Sequence, residues 1–412
     1  MNILIFHQFY TRLNEPGILR FNLFAEHWRK EGVKIKVIAG MINYQTGKKR
    51  EEYKRKLFVK EKDGNVSVLR VFDSSLGYRT FIGRIFSYLS FLFFSFWAGV
   101  FSPKPDMIIV SSPPIFLAFV GYIVSIFKAT PFVLELRDLW PDEVIELGYV
   151  KNKLIIKISY LIEKFFYRKA KFIVVNSPGF KEFLMKEKNI AEEKIGVVPN
   201  PANFDLKQRN ATQLKGLKKE FSWEGKFVVL YAGSHSFVYN FNPLIEAAKN
   251  LQNKKDILFV LIGDGRQKPV LMERVKKENI KNVQFLAPVA KDKVFDYIAA
   301  ADVGIAPLSS MKLLKYVYVT KIFDYMAAKK PVILAMEGVS ADLVCREAKC
   351  GLCVKSGDAE ALENALLEFY SKCEEIKGMG GNGYQFVKNN FSADILAKRY
   401  LELLKPIIVP KR

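Results

Sequence analysis

Five short stretches carry residue types that could hold a phosphorylated, polyhydroxylated ligand. The densest is VTKIFDYMAAKKPVI at 319–333. Thr320 can cap a helix that Lys321 begins, and the free N–H groups of a helix start suit a diphosphate. Lys321 adds a compact positive charge, and Asp324, one turn on, offers a carboxylate to ribose hydroxyls. Helical spacing turns Phe323, Met326 and Ala327 towards a core. At 263–266, GDGR combines open backbone at Gly263 and Gly265 with the planar fork of Arg266, and Lys268 follows closely. In YAGSHSF, 231–237, Gly233, Ser234 and His235 form a small-residue turn suited to backbone contact with phosphate, although His235 could equally be a plain loop histidine. RDLWPD at 137–142 sets Arg137, Asp138 and Asp142 beside Trp140, where a polar substrate could rest; a surface salt bridge in a turn is the competing reading. Finally, Gly17 closes the loop from Gln8 and opens a helix, which would let backbone approach an anion. An ordinary helix start explains Gly17 as well.

Other chemistries lack their residues. The glycines do not form GxGxxG, and no acidic partner is identifiable about 20 residues further on, which disfavours NAD. There is no Ser-His-Asp set, HExxH, Walker A or protein-kinase set. The net charge of +22 favours polyanionic partners: phosphorylated substrates, an anionic membrane face or nucleic acid. Basic residues are not interleaved with an RNP-type aromatic motif, so no nucleic-acid partner is expected. Cys350 and Cys353 have metal-like spacing, but no second pair or nearby His completes a site. The four cysteines are therefore expected to be ordinary reduced thiols, with no metal and no cofactor.

These motifs need a scaffold that brings loop ends together. Continuous Val/Ile/Leu runs at 2–7, 34–39, 66–72, 106–112, 132–136 and 172–177 alternate with helical patterns. The rhythm pauses over 197–226, then restarts with strands at 226–233, 257–263, 282–287, 302–308 and 331–336; GLCV at 351–354 also reads as a strand. Alternating β and α predicts parallel sheets with helices on both faces. The expected fold class is α/β, with two doubly wound Rossmann-like domains facing across a cleft: 1–203 and 204–390. Ligands of such sheets bind beyond the carboxyl ends of the strands. MNILIFHQFY reads as a first strand rather than a signal peptide, which implies a cytoplasmic chain. Residues 82–101 are about long enough to cross a bilayer, but recurring polar residues favour a helix buried within the domain; a helix dipping into the membrane interface is the third option.

FDYMAAKKPVI, preceded by GDG and followed by AKCGLCVKSGD, resembles glycosyltransferase family 4, nearest the subgroup of O-antigen and capsule synthesis. SSPP (111–114), LRDLWPD (136–142), VVNSPGFKEFL (174–184), VVPNPANF (197–204), YAGSHS and NVQFLAPV (282–289) match in family order along the chain. The resemblance implies a GT-B fold, retention of anomeric configuration and no essential metal. Carried over, Gly17 would approach the donor phosphates or the acceptor, and Asp138 would lie near the transferred sugar. Arg266, Thr320 and Lys321 would hold the diphosphate, Asp324 the ribose, and the backbone around Pro288 and Val289 the base. Segment 391–412 would pack back on the first domain. The pattern departs at Tyr316, where the family has a carboxylate, at Arg137, where His is frequent, at Ser234 and Asn240, where phosphate-binding Arg and Lys are usual, and at Lys329, where Gly is usual.

The resemblance implies a retaining transferase that moves a sugar from a nucleotide-sugar donor, with UDP favoured, to a lipid-linked glycan. Arg266 and Lys321 would stabilise the leaving diphosphate. The basic, aromatic-rich first domain would add reversible attachment to the inner face of the cell membrane. The alternatives are a non-catalytic nucleotide-sugar-binding subunit and a GT-B nucleotide-sugar epimerase.

Overall fold

Apolar runs become the inner strands of two parallel sheets. The computed structural model describes every residue except 14, 16–18, 44–45, 79, 205–210 and 409–412. The chain divides into two compact units: Met1–Pro199 with the C-terminal segment from Ala393, and Asn200–Ser392.

The first unit holds eight strands: β1 (Asn2–Phe6), β2 (Lys34–Gly40), β3 (Phe58–Asp63), β4 (Val66–Val71), β5 (Met107–Ser112), β6 (Phe132–Leu136), β7 (Phe172–Val175) and β8 (Ile195–Val197). Their order is β3-β4-β2-β1-β5-β6-β7-β8, parallel except for β3. β1 runs beside β2 with Ile5 opposite Val37, and beside β5 with Ile5 opposite Ile109. All three positions are fully buried, which is why these strands read as unbroken apolar runs. β3 forms a hairpin with β4 through Gly64, whose φ is +57°. Its alternating lysines and acids suit an exposed edge, where charge discourages further strand addition.

The Arg20–Lys30 helix buries Phe21, Phe24 and Trp28, and the Ala393–Ile408 helix packs against it. Trp28 Nε1 donates to Ala397 O at 2.8 Å, and its ring meets Tyr400 edge-on at 5.4 Å. Arg20 anchors the same helix from below. It pairs with buried Glu135 at 2.8 Å and donates to Val198 O and Pro199 O, so the ends of β6 and β8 are tied to one guanidinium.

The helix expected to be buried near 82–101 is buried on one side only. Thr80 caps it, its hydroxyl accepting from Gly83 N at 3.1 Å, and Lys128 closes its far end on Val100 O and Ser102 O. Gly83, Ser87, Phe91, Ser95 and Gly99 recur every fourth position and face the domain. Small residues are needed there: a side chain at Gly99 would sit 2.7 Å from the Phe6 ring. Phe91 apart, the large apolar residues Ile82, Ile85, Phe86, Leu89, Phe93 and Trp97 are exposed, and only a third of the span is buried.

The second unit holds β9 (Phe227–Ala232), β10 (Ile257–Ile262), β11 (Val283–Leu286), β12 (Val303–Pro307), β13 (Val332–Ala335) and β14 (Gly351–Val354), all parallel, in the order β11-β10-β9-β12-β13-β14. The order reverses between β9 and β12. Within the stretch that pauses in the sequence, Ala211–Glu220 forms a helix; 205–210 lie outside the described residues. The cysteines depart from expectation. Cys345 and Cys353 form a disulfide, because the turn from Asp342–Glu347 into β14 brings their Cα atoms to 6.3 Å. Cys350 remains a buried thiol, held up to about 12 by burial.

Candidate functional site

A doubly wound sheet opens a crevice where its strand order reverses. β9 and β12 pair only at Val229–Val303 and Leu230–Gly304, then separate. Tyr325, on the Thr320–Ala327 helix, fills the split. Its hydroxyl accepts from Ala232 N and donates to Ile305 O, each at 3.2 Å. Gly304 makes room for the ring: a Cβ there would lie 2.4 Å from Tyr325 Cγ. This one tyrosine fixes the helix start over the switch point.

Lys321 is consequently held inside. It is buried, its Nζ has no hydrogen-bond partner among the described residues, and the ammonium lies 3.6 Å from the Tyr231 ring centre and 3.8 Å from that of Tyr239. Burial holds its pKa well below the ordinary lysine value, and Asp324 opposes that shift. Two aromatic faces compensate a cation only partly. The Nζ faces the turn that follows β9: a Cβ added at Gly233 would lie 2.9 Å from it. A buried cation lacking hydrogen bonds beside a glycine turn is a place where an anion would be stabilised.

The neighbouring turns press backbone to backbone. Gly263 has a φ of +132°, and a Cβ on it would lie 1.9 Å from Gly233 O. A Cβ on Gly265 would lie 2.5 Å from His235 O. His235 N donates to Asp264 O at 2.8 Å, which locks the two turns together. His235 is no plain loop histidine: it is fully buried, stacked on Phe241 at 5.0 Å, and neither ring nitrogen has a hydrogen-bond partner among the described residues. Burial, then Lys268 and Lys321, push its pKa down to about 4, so the ring is neutral near pH 7.

Gly233, Ser234, His235, Gly263, Gly265 and Lys321 thus share one end of the sheet. Ser234 is exposed, and its carbonyl accepts from Tyr231 Oη at 2.6 Å. Arg266 is exposed at the tip of its turn. Pro288 and Val289 follow β11, two strands from the switch. Asp324 is half-buried one turn beyond Thr320. Two details differ from expectation. The helix begins one residue early, so the cap position falls to Val319, whose side chain cannot accept; Val319 N is instead held by Ser340 Oγ at 3.0 Å. Lys268, expected among the phosphate-binding cations, donates to Gly263 O and Leu286 O, both at 2.7 Å, and staples the ends of β10 and β11. Tyr316, at the position where the resemblance implies a carboxylate, is buried.

Asp138 belongs to the first unit, and Gly17 lies outside the described residues. Arg137, beyond β6, reaches the end of β1, where its Nη1 donates to His7 Nε2 at 3.0 Å. Burial, then Arg137 and Arg70, hold the His7 pKa well down, so the neutral ring accepts on Nε2 and carries its proton on Nδ1. Asp138 and Glu143 form a second electrostatic unit. Burial raises both, Arg137 restrains Asp138, and repulsion from Asp138 and Glu146 helps push Glu143 up to about 7. Asp142, from the same motif, is structural, pairing with Lys188 at 2.6 Å and accepting from Tyr160 Oη at 3.0 Å.

The raised Glu143 has a measurable consequence. The folded state holds a proton that the unfolded chain releases near 4.5, so stability falls as pH rises from about 4.5 to about 7. Glu143→Gln should flatten this slope and add about 1–2 kcal/mol above pH 7. Urea unfolding at several pH values tests it; an unchanged slope would show that Glu143 titrates normally.

Sequence inspection missed Tyr231, Tyr239 and Tyr325, the tyrosines that shape this site. Only the placement of Tyr231 two residues before Gly233 hinted at a role.

Two family models match the chain, one described as a Glycosyl transferase 4-like domain over residues 19–201 and one as Glycosyl transferases group 1 over 226–372. An uncharacterised glycosyltransferase of Methanocaldococcus jannaschii is 26% identical over 193 residues, covering 46% of this chain and 52% of the relative. The chain spans 47% and 64% of two further curated relatives from that organism, so about half to two thirds of such proteins is matched. Among solved structures, sucrose-phosphate synthase from Thermosynechococcus elongatus superposes with a TM-score of 0.77 at 16% identity over 100% of both chains. Anabaena HepE, solved in complex with UDP, gives 0.73 at 16% identity over 98% of this chain and 100% of that one. At such identity these structures speak for the fold alone. With glycosyltransferase domains matched in both units and the two-Rossmann architecture shared throughout, the chain belongs to the GT-B glycosyltransferases.

Proposed function

We propose that the protein transfers a sugar from a nucleotide-sugar donor, a UDP-sugar, to a lipid-linked glycan in cell-surface polysaccharide synthesis at the cytoplasmic face of the membrane. The observation that carries this reading is Lys321, a buried ammonium without a hydrogen-bond partner among the described residues, beside Gly233 at the sheet's switch point. HepE, of the same fold, was solved with UDP, which favours that nucleotide here. Lys321, Arg266 and amides of the Gly233 and Gly263 turns meet the diphosphate charge, so no metal is needed. Asp324 takes the ribose hydroxyls and Asp138 lies near the sugar.

Transfer proceeds with retention. The bond from the sugar C1 to the diphosphate oxygen breaks with its electron pair leaving on the nucleotide. The acceptor hydroxyl bonds to C1 on the same side, and its proton passes to the departing phosphate oxygen. Stabilising the leaving group is the main term such a site supplies.

A panel of nucleotide sugars, followed by thermal shift and release of nucleoside diphosphate, tests this. One donor should stabilise the protein and be slowly hydrolysed; no response to any donor would overturn the reading. Asp324→Ala should weaken nucleotide binding about tenfold, the value of a hydrogen bond to a charged acceptor. Unchanged affinity in the folded variant would remove Asp324 from the site. Tyr316, standing where the resemblance implies a carboxylate, favours a second reading as a donor-binding subunit, which predicts stabilisation without turnover on any acceptor.

A further inference from the structure

We infer that three outward helices of the first unit form an in-plane docking surface for an anionic lipid membrane. The inference deepens the proposed transfer to a lipid-linked acceptor and rests on that reading for its purpose, while its observations are independent of it.

The helices are Phe81–Val100, Leu117–Lys128 and Lys153–Lys169, and they lie side by side. Ring contacts stitch them together: Phe96 meets Phe127 at 6.2 Å, and Phe119 meets Phe166 at 4.5 Å. Each exposes large apolar side chains at helical spacing. On the first helix Leu89, Phe93 and Trp97 are between 41% and 58% exposed. On the second, Ile126 and Phe127 are more than 60% exposed. On the third, Leu154, Ile158, Leu161 and Phe165 form an outward stripe, while Ser159, Glu163 and Tyr167 turn inward. In a helix facing water this distribution is reversed. A contiguous exposed apolar surface of this kind marks an interaction site.

Charge identifies the occupant. The three helices carry seven Lys or Arg and a single acid. That acid, Glu163, is buried and held by Lys188 at 2.9 Å, so it adds nothing to the surface. Lys157 and Lys164 are exposed, offset by three or four positions from the apolar stripe. An apolar stripe flanked by lysines fits the boundary between anionic headgroups and acyl chains.

The same packing keeps the first helix from crossing the bilayer, although it is long and apolar enough by length and composition. Its Gly83, Ser87, Phe91, Ser95 and Gly99 face is seated on β2 and β4. Drawing it out to span would uncover the sheet. It therefore lies parallel to the surface, with Trp97 at headgroup depth.

The test is sedimentation of the full chain with phosphatidylglycerol–phosphatidylcholine vesicles at low salt, against phosphatidylcholine alone. Binding should need the anionic lipid and weaken with salt. Lipids brominated near the headgroup should quench Trp97, and the quenching should disappear in Trp97→Phe. The triple variant Leu89→Ser, Phe93→Ser, Leu161→Ser should lose about a hundredfold in partitioning. Lys157→Gln with Lys164→Gln should lose about fivefold for each charge. Both variants should keep the unfolding midpoint and donor hydrolysis in solution. No binding to anionic vesicles, or binding that ignores both variants, overturns the proposal. So does self-association that the triple variant abolishes without any vesicle binding, which would make the surface an interface between copies. Vesicle binding without donor hydrolysis would instead count against the transferase reading alone.

Discussion

Lys321→Met is expected to lower sugar transfer by about two to three orders of magnitude, while the ligand-free protein becomes no less stable. Methionine matches the length and volume of lysine closely enough to remain between Tyr231 and Tyr239, and it tolerates irregular apolar space. The wild-type ammonium is buried there without a hydrogen bond, an arrangement costly to the folded state. Because burial holds the folded pKa well below that of the unfolded chain, the unfolded state binds more protons between the two values. Stability therefore rises with pH across that window, and the methionine variant should lose this dependence. A bound diphosphate reverses the balance by supplying the missing negative charge. Within that window, nucleotide binding should thus take up a proton in the wild type and not in the variant, which calorimetry over a range of pH in buffers of different ionisation enthalpy reads directly. Transfer within a few-fold of wild type, or equal proton uptake in both proteins, would show that Lys321 does not carry the diphosphate.

What could be read in the chain beforehand follows a physical division. Strands buried on both faces announce themselves, because the inner runs of β1 (3–6), β5 (107–110) and β10 (257–262) are continuously apolar. Edge elements do not: β3, with its KEKD run, and the three-residue β8 have no such constraint. Glycine turns after β9 and β10 were visible, since a chain that needs positive φ and close backbone approach advertises it by residue type. The aromatic enclosure of Lys321 was not visible. Tyr231 and Tyr239 lie about 80 residues or more before Lys321 in the chain and meet it only because Tyr325, filling the split between β9 and β12, seats its helix at the switch point. The same limit explains the Phe81–Val100 helix. Its composition showed that it was apolar, but only packing reveals that the small and hydroxyl side chains line the inner face. Lys268 illustrates the converse: a cation near a glycine turn suits a phosphate, yet two strand-end carbonyls already occupy it.

The sharpest test of the paired turns is Gly263→Ala, which should cost about 3–5 kcal/mol and weaken nucleotide binding at least about tenfold. Two penalties coincide at this position. Its φ of +132° is one that L side chains rarely adopt, and its Cβ would lie 1.9 Å from Gly233 O. The obstacle is backbone, which cannot swing aside as a side-chain tip could. Relief requires the Gly233 turn to retreat, and that turn lies against the Lys321 ammonium. Displacing it changes the opening into which a phosphate would fit, so binding should fail together with stability. Gly357→Ala separates the two contributions. Gly357 also has a positive φ, +87°, but nothing lies within 4 Å of its added Cβ. That variant should show only the backbone strain, about 1 kcal/mol, with nucleotide affinity unchanged. Thermal unfolding and UDP titration of both variants decide the matter. If Gly263→Ala unfolds with Gly357→Ala and binds UDP like wild type, the two turns do not meet as described, and the phosphate site must be sought elsewhere on the sheet.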